Sequence, residues 1–149
     1  MLRTLEQRRA EFAYKVVKEV SKANESVQKE YKSLVKKSPA LILTSGLIQT
    51  LAYYLAKAHS SPSRFKLDNV KKLIKDGGFI ELVRGNEEVN VHSLLYLHIV
   101  AWLTHEGFGD LNKLLNSQAH ELFQATKEVL ALLNWMGKFA DSMLKGEEI

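Results

Sequence analysis

The chain has 149 residues, 46% hydrophobic and 26% charged, with eight Gly, two Pro and no Cys. This composition describes one soluble globular domain over residues 1–149, long enough to bury a core without disulfides or metal. The missing Cys excludes thiolate catalysis and Cys-ligated zinc or iron–sulfur sites, and fits a reducing, cytoplasmic setting.

The net charge of +4 conceals a split. Residues 1–75 hold sixteen basic against six acidic side chains, a net +10; residues 76–149 hold five against eleven, a net −6. Such asymmetry suggests a polyanion-facing half and an acidic half that meets a basic partner.

In chain order, Met1 to Glu6 lacks the apolar core of a signal peptide. Leu5, Phe12, Val16, Val20, Ala23, Val27 and Leu34 recur at helical spacing, with Thr4 and Gln7 placed for a capping box. The pattern predicts helix from residue 4 to 37, stopping before Pro39. One helix of that length would reach roughly 50 Å, against roughly 38 Å for the whole domain. A break near Asn24-Glu25-Ser26 is therefore expected, with Asn24 ending one helix and Ser26 capping the next.

Ser38-Pro39 reads as the N-cap and first residue of a new helix. The 19 uncharged positions between Lys37 and Lys57 invite comparison with a membrane span, but Pro39, Gly46, Gln49 and Thr50 interrupt them. They read as one central buried helix. His59 to Ser63 is a loop, a short helix covers about 67–75, and Phe79 to Val83 suits a helical turn or a strand equally. Val89 to His105 is apolar on most faces and predicts a second buried helix. Asp110 caps a small helix, and Ser117 opens a long amphipathic one ending at Leu144. The fold class is all-α, a compact bundle of about five to seven helices with a basic N-terminal segment.

The most specific chemical pattern is a basic heptad, Arg8, Lys15, Lys22, Lys29 and Lys36, with Lys18 and Lys32 beside it. Residues seven apart drift only about 20° around a helix, so these seven form one ribbon able to track phosphates. A solvated helix face explains the same residues. Tyr14, Tyr31, Tyr53 and Tyr54 lie in the basic half, where they either stack on bases or pack.

His92, His98 and His105 lack a zinc spacing, and His120-Glu121 is not followed by the second His of a zinc-protease motif, since position 124 is Gln. No phosphate-binding GxxxxGK[ST] occurs. No cofactor, metal or catalytic residue is expected.

Three blocks resemble a known family. They are Leu5-Glu6-Gln7-Arg8-Arg9-Ala10 with Phe12-Ala13; Glu30 to Ile42 leading into Gly46-Leu47-Ile48-Gln49-Thr50-Leu51-Ala52-Tyr53; and Ala125-Thr126-Lys127-Glu128 with Leu132-Leu133-Asn134-Trp135 and Phe139-Ala140. Together they are similar to the small-subunit family of type III-B CRISPR effector complexes, the Cmr complexes. Ser45, Ile48 and Tyr53 depart from the Asn, small residue and Phe expected there.

The resemblance implies a non-catalytic all-α subunit of a crRNA-guided complex for antiviral defence. Copies would stack along its inner filament, beside the backbone subunit and the large polymerase-like subunit, with the basic face on the crRNA–target RNA duplex. No membrane is implied. A helical adaptor or homo-oligomeric scaffold without RNA contact is the alternative.

Overall fold

The computed structural model describes residues 3–59, 70–84 and 89–146. Eight helices and no strand occur among them: α1 (Leu5–Val20), α2 (Glu25–Ser45), α3 (Leu47–Lys57), α4 (Val70–Asp76), α5 (Phe79–Arg84), α6 (Val91–His105), α7 (Leu111–Leu115) and α8 (Ala119–Met143).

The first helix starts as its sequence dictates. Thr4 Oγ1 accepts from the Gln7 amide at 3.1 Å, and Gln7 Oε1 accepts from the Thr4 amide at 2.8 Å, satisfying two otherwise orphaned donors. The expected break is present, but its residues play other parts. The chain leaves α1 at Ser21, and Asn24, not Ser26, caps α2 by accepting from the Val27 amide at 2.9 Å.

The expected stop at Pro39 does not occur: α2 runs through it to Ser45. An internal proline costs about 3 kcal/mol. Tertiary packing offsets that cost, because Val35, Ser38 and Ile42 around it are all buried. Ser38 is no N-cap; its hydroxyl donates to the Leu34 carbonyl at 2.7 Å and meets the Tyr54 hydroxyl of α3.

The uncharged stretch is likewise two helices and not one buried rod. Gly46, at φ +90°, turns the chain between α2 and α3, and Leu43 before it is 74% exposed. No helix among the described residues is long and apolar enough to cross a membrane. The loop placed at 59–63 and the start of the short helix near Asp68 fall largely outside the described residues.

Residues 79–84 resolve as helix for a reason outside the local sequence. Gly77 and Gly78, both at positive φ, turn the chain, and Glu19 reaches across from α1 to accept the Gly78 and Ile80 amides, each at 2.7 Å. That carboxylate satisfies donors that α5 leaves unpaired at its own start.

Helix α6 is the centre of the fold. Twelve of its fifteen residues are buried, and it packs against α2, α3, α4, α5 and α8. Each fully buried Leu or Ile contributes about 1.5–3 kcal/mol, which makes α6 the largest apolar block in the core. Asp110 caps α7 as expected. The long last helix begins after Gln118 instead of Ser117, whose hydroxyl donates to the Leu114 carbonyl and closes α7. α8 then lies against both α1 and α2.

Candidate nucleic-acid interface

The turn at residues 21–24 divides the basic residues between two helices that both pack on α8. Arg8, Lys15 and Lys18 stand on α1, Lys22 lies in the turn, and Lys29, Lys32 and Lys36 stand on α2. A straight ribbon becomes two groups.

On the α1 side, Lys15, Lys18 and Lys22 line a groove of about 240 Å³ whose far wall is the end of α4, with Lys75 and the Gly77 turn. Lys15 makes an i,i+4 pair with Glu11 at 3.0 Å, and the Lys18 ammonium sits 5.8 Å from the Tyr14 ring centroid. On the α2 side, Lys29 pairs with Glu25 at 3.2 Å, whereas Lys36 and Lys32 reach Asp141 of α8 at 2.7 and 3.8 Å. The hydrogen bond from Lys36 holds the Asp141 carboxyl below its ordinary range. Exposed pairs of this kind contribute roughly 0–1 kcal/mol, so their lysines stay available to a polyanion.

Arg8 differs. Its guanidinium donates to Glu106 at 2.8 Å, and Glu106 also meets His105 Nδ1 at 2.8 Å, so Arg8 ties α1 to the end of α6. Beside it, Arg9 is more deeply committed. Arg9 Nε and Nη2 donate to Glu128 at 2.5 and 2.8 Å, and the Trp102 indole donates to the same carboxylate at 3.1 Å. The hydrogen bond to Glu128 raises the Arg9 pKa. These two arginines hold helices together.

The four tyrosines also divide. Tyr31 and Tyr54 are core residues at 0% exposure, while Tyr14 and Tyr53 are 41% and 44% exposed. The Tyr31 hydroxyl shares a 2.6 Å hydrogen bond with His98 Nδ1, and burial drives the His98 pKa down to about 3. Among the described residues no three His, Asp or Glu side chains converge as metal ligands. His98 is buried against Tyr31, His105 stacks on Trp102, and His92 packs near Tyr53 and Tyr54.

Two sets of exposed cations escape a reading that follows the N-terminal heptad. Lys75 joins the α1 group through the fold alone. Lys127 and Lys138 lie on α8, in the half whose net charge is negative, yet each stands over a ring: Lys127 is 5.4 Å from the Phe123 centroid and Lys138 is 5.8 Å from that of Trp135. Their i,i+4 and i,i+3 spacing was visible in the sequence.

Residues 5–143 match the family described as CRISPR-associated protein (Cas_Cmr5). The fold is similar to the crystal structure of a CRISPR-associated Cmr5 family protein from Thermus thermophilus, 23% identical, with a TM-score of 0.59 over 97% of this chain and 100% of that chain. Since the match runs from the first turn of α1 to the last of α8, the chain belongs to the Cmr5 family, the small subunits of type III-B Cmr complexes.

Proposed function

We propose that the chain acts as one non-catalytic structural domain within its crRNA-guided complex, in the cytoplasm. It stacks along the inner filament with further copies of itself, beside the backbone subunit and the large polymerase-like subunit. Its lysines on α1 and α2 touch phosphates of the crRNA–target RNA duplex. Base pairing already reads the sequence there, so contacts to the backbone suffice.

The observation that carries this reading is the state of the lysines. Lys15, Lys18, Lys22 and Lys36 are exposed, Lys29 and Lys32 are partly so, and none is locked into a buried pair. Exposed Asp76, Glu81, Asp110 and Glu121 supply the surface offered to a basic neighbouring subunit.

Reversing Lys15, Lys22 and Lys29 to Glu is expected to lower target-RNA capture by the assembled complex and to flatten its dependence on salt. Crosslinks between RNA and residues 8–37 in that complex are expected as well. Capture with an unaltered salt slope, or crosslinks lacking there, would favour the scaffold without RNA contact.

A further inference from the structure

The outward face of α8 carries one exposed ring and two ammonium groups, and the half-buried rings of Trp135 and Phe139 lie on its flank, about 60° and 100° round the helix from Lys138. Phe123, Lys127, Asn134 and Lys138 fall within about 60° of one another around the helix. Phe123 is 61% exposed, a large apolar surface left to solvent. Further along, Trp135 stacks on Phe139 with centroids 5.9 Å apart, and Phe139 meets Tyr14 of α1 edge to face at 5.6 Å. Lys18 stands over Tyr14 as Lys138 stands over Trp135, so each end of this aromatic group carries an ammonium.

The acidic side chain on that strip, Asp141, already faces Lys32 and Lys36. The strip is therefore net positive among the described residues, although it belongs to the half of the sequence with a net charge of −6. Phe123 and Trp135 lie about 18 Å apart along the helix, room for several nucleotides.

We infer that this α8 strip, with Tyr14 and Lys18, is a stacking platform for unpaired bases of a single-stranded nucleic acid. Rings offer flat faces to bases, and ammonium groups at 5.4 to 5.8 Å from those rings meet the phosphates between them. An acidic peptide would satisfy the lysines but leave the exposed Phe123 ring without a flat partner, whereas a nucleic-acid strand uses both kinds of group at once. A fully paired duplex hides its base faces. This inference rests on the RNA contact proposed above and adds a second, strand-selective surface to it.

The test uses the full chain at low ionic strength, titrated with a labelled single-stranded oligouridylate and, separately, with an RNA duplex of equal length. Trp102 is 1% exposed, so a change in tryptophan emission that is lost in Trp135→Phe reports the strip. The single strand is expected to change that emission more than the duplex does.

Phe123→Ala and Trp135→Leu should each weaken binding of the strand by about tenfold with the salt slope unaltered, since they remove stacking and no charge. Trp135→Phe should keep most of the affinity. Strand affinity unmoved by Phe123→Ala and Trp135→Leu overturns the platform, as does an equal loss toward duplex, or an equal emission change with polyglutamate, which would give the strip to a protein partner. If reversing Lys15, Lys22 and Lys29 still weakens the duplex while the ring variants do nothing, only the platform falls. If the single strand does not bind at all, the platform falls, and the duplex contact is judged by capture in the assembled complex.

Discussion

Two carboxylates on α8 bind basic side chains, and they do so in opposite surroundings. Glu128 is 7% exposed and uses both oxygens on Arg9 and the Trp102 indole. Asp141, half a helix away, has 51% of its side chain exposed and meets Lys36 and Lys32 at the rim. The chemistry is the same, but water decides what each is worth. At Glu128 a lost partner leaves a desolvated charge; at Asp141 water replaces the partner at once. The inner seam of α8 therefore holds the fold, and its outer strip is free to serve binding.

The largest contrast should appear with rings. Phe12 is 2% exposed, stacked on Trp102 at 5.1 Å and edge-on to Phe79. Phe12→Ala is expected to cost about 3–5 kcal/mol in urea unfolding, and Phe123→Ala less than about 0.5 kcal/mol. Comparable losses would mean that the outer strip is also structural.

Next comes the inner carboxylate itself. Glu128→Ala should cost about 3 kcal/mol, because it orphans the Arg9 guanidinium and the indole N–H together. Replacing both charged partners, Arg9→Met with Glu128→Leu, should recover much of that loss, since the remaining penalty is then one unpaired indole. A double variant as weak as the single one would show that the pair contributes by attraction more than by avoiding a stranded charge.

A smaller effect depends on pH. His98 is buried with its pKa pushed down to about 3, whereas an unfolded chain binds that proton near pH 6.5. Between those values the unfolded state holds the extra proton, so stability falls as the solution is acidified below about pH 6.5. The expected slope rises from about 0.7 kcal/mol per pH unit at pH 6.5 toward about 1.4 near pH 5, a range above most carboxylates. His98→Phe should remove most of that slope, leaving the part from His92, whose pKa burial and Lys57 also lower, while costing the bond to Tyr31 at every pH. A slope undiminished in His98→Phe would place the proton elsewhere.

How far the sequence revealed this organisation follows the same division between local and distant causes. Helix α1 was legible because Thr4 and Gln7 cap it from within four residues, and α6 because its apolar residues leave no wet face. Pro39 misled because the local rule against it is overridden by burial of Val35, Ser38 and Ile42, which only the packed helices supply. The short α5 was undecidable because its cap, Glu19, lies some sixty residues upstream. The basic heptad was plain as a pattern, but its division into a groove lined with Lys75 and a rim against Asp141 depends on the turn at residues 21–24. Lys127 and Lys138 were hidden by arithmetic: a half-chain net charge averages an acidic surface with a basic strip.

Asp141→Asn is the smallest change in stability and the sharpest in function. The exposed pair it removes should alter unfolding by no more than about 0.5 kcal/mol. Its carboxyl, kept below its ordinary pKa by the Lys36 hydrogen bond, remains charged at neutral pH and competes with any phosphate for Lys36 and Lys32. Neutralising it frees both ammonium groups. Binding to an RNA duplex should then tighten, and the plot of log affinity against log salt should steepen by up to about two units, near 0.9 per phosphate gained. Paired measurements on the natural chain and the variant, by urea unfolding and by salt titration, check both halves. A steeper slope with unchanged stability makes Asp141 a competitor for the RNA site; a flat slope with unchanged stability leaves Lys32 and Lys36 outside it and confines the phosphate contacts to the α1 groove.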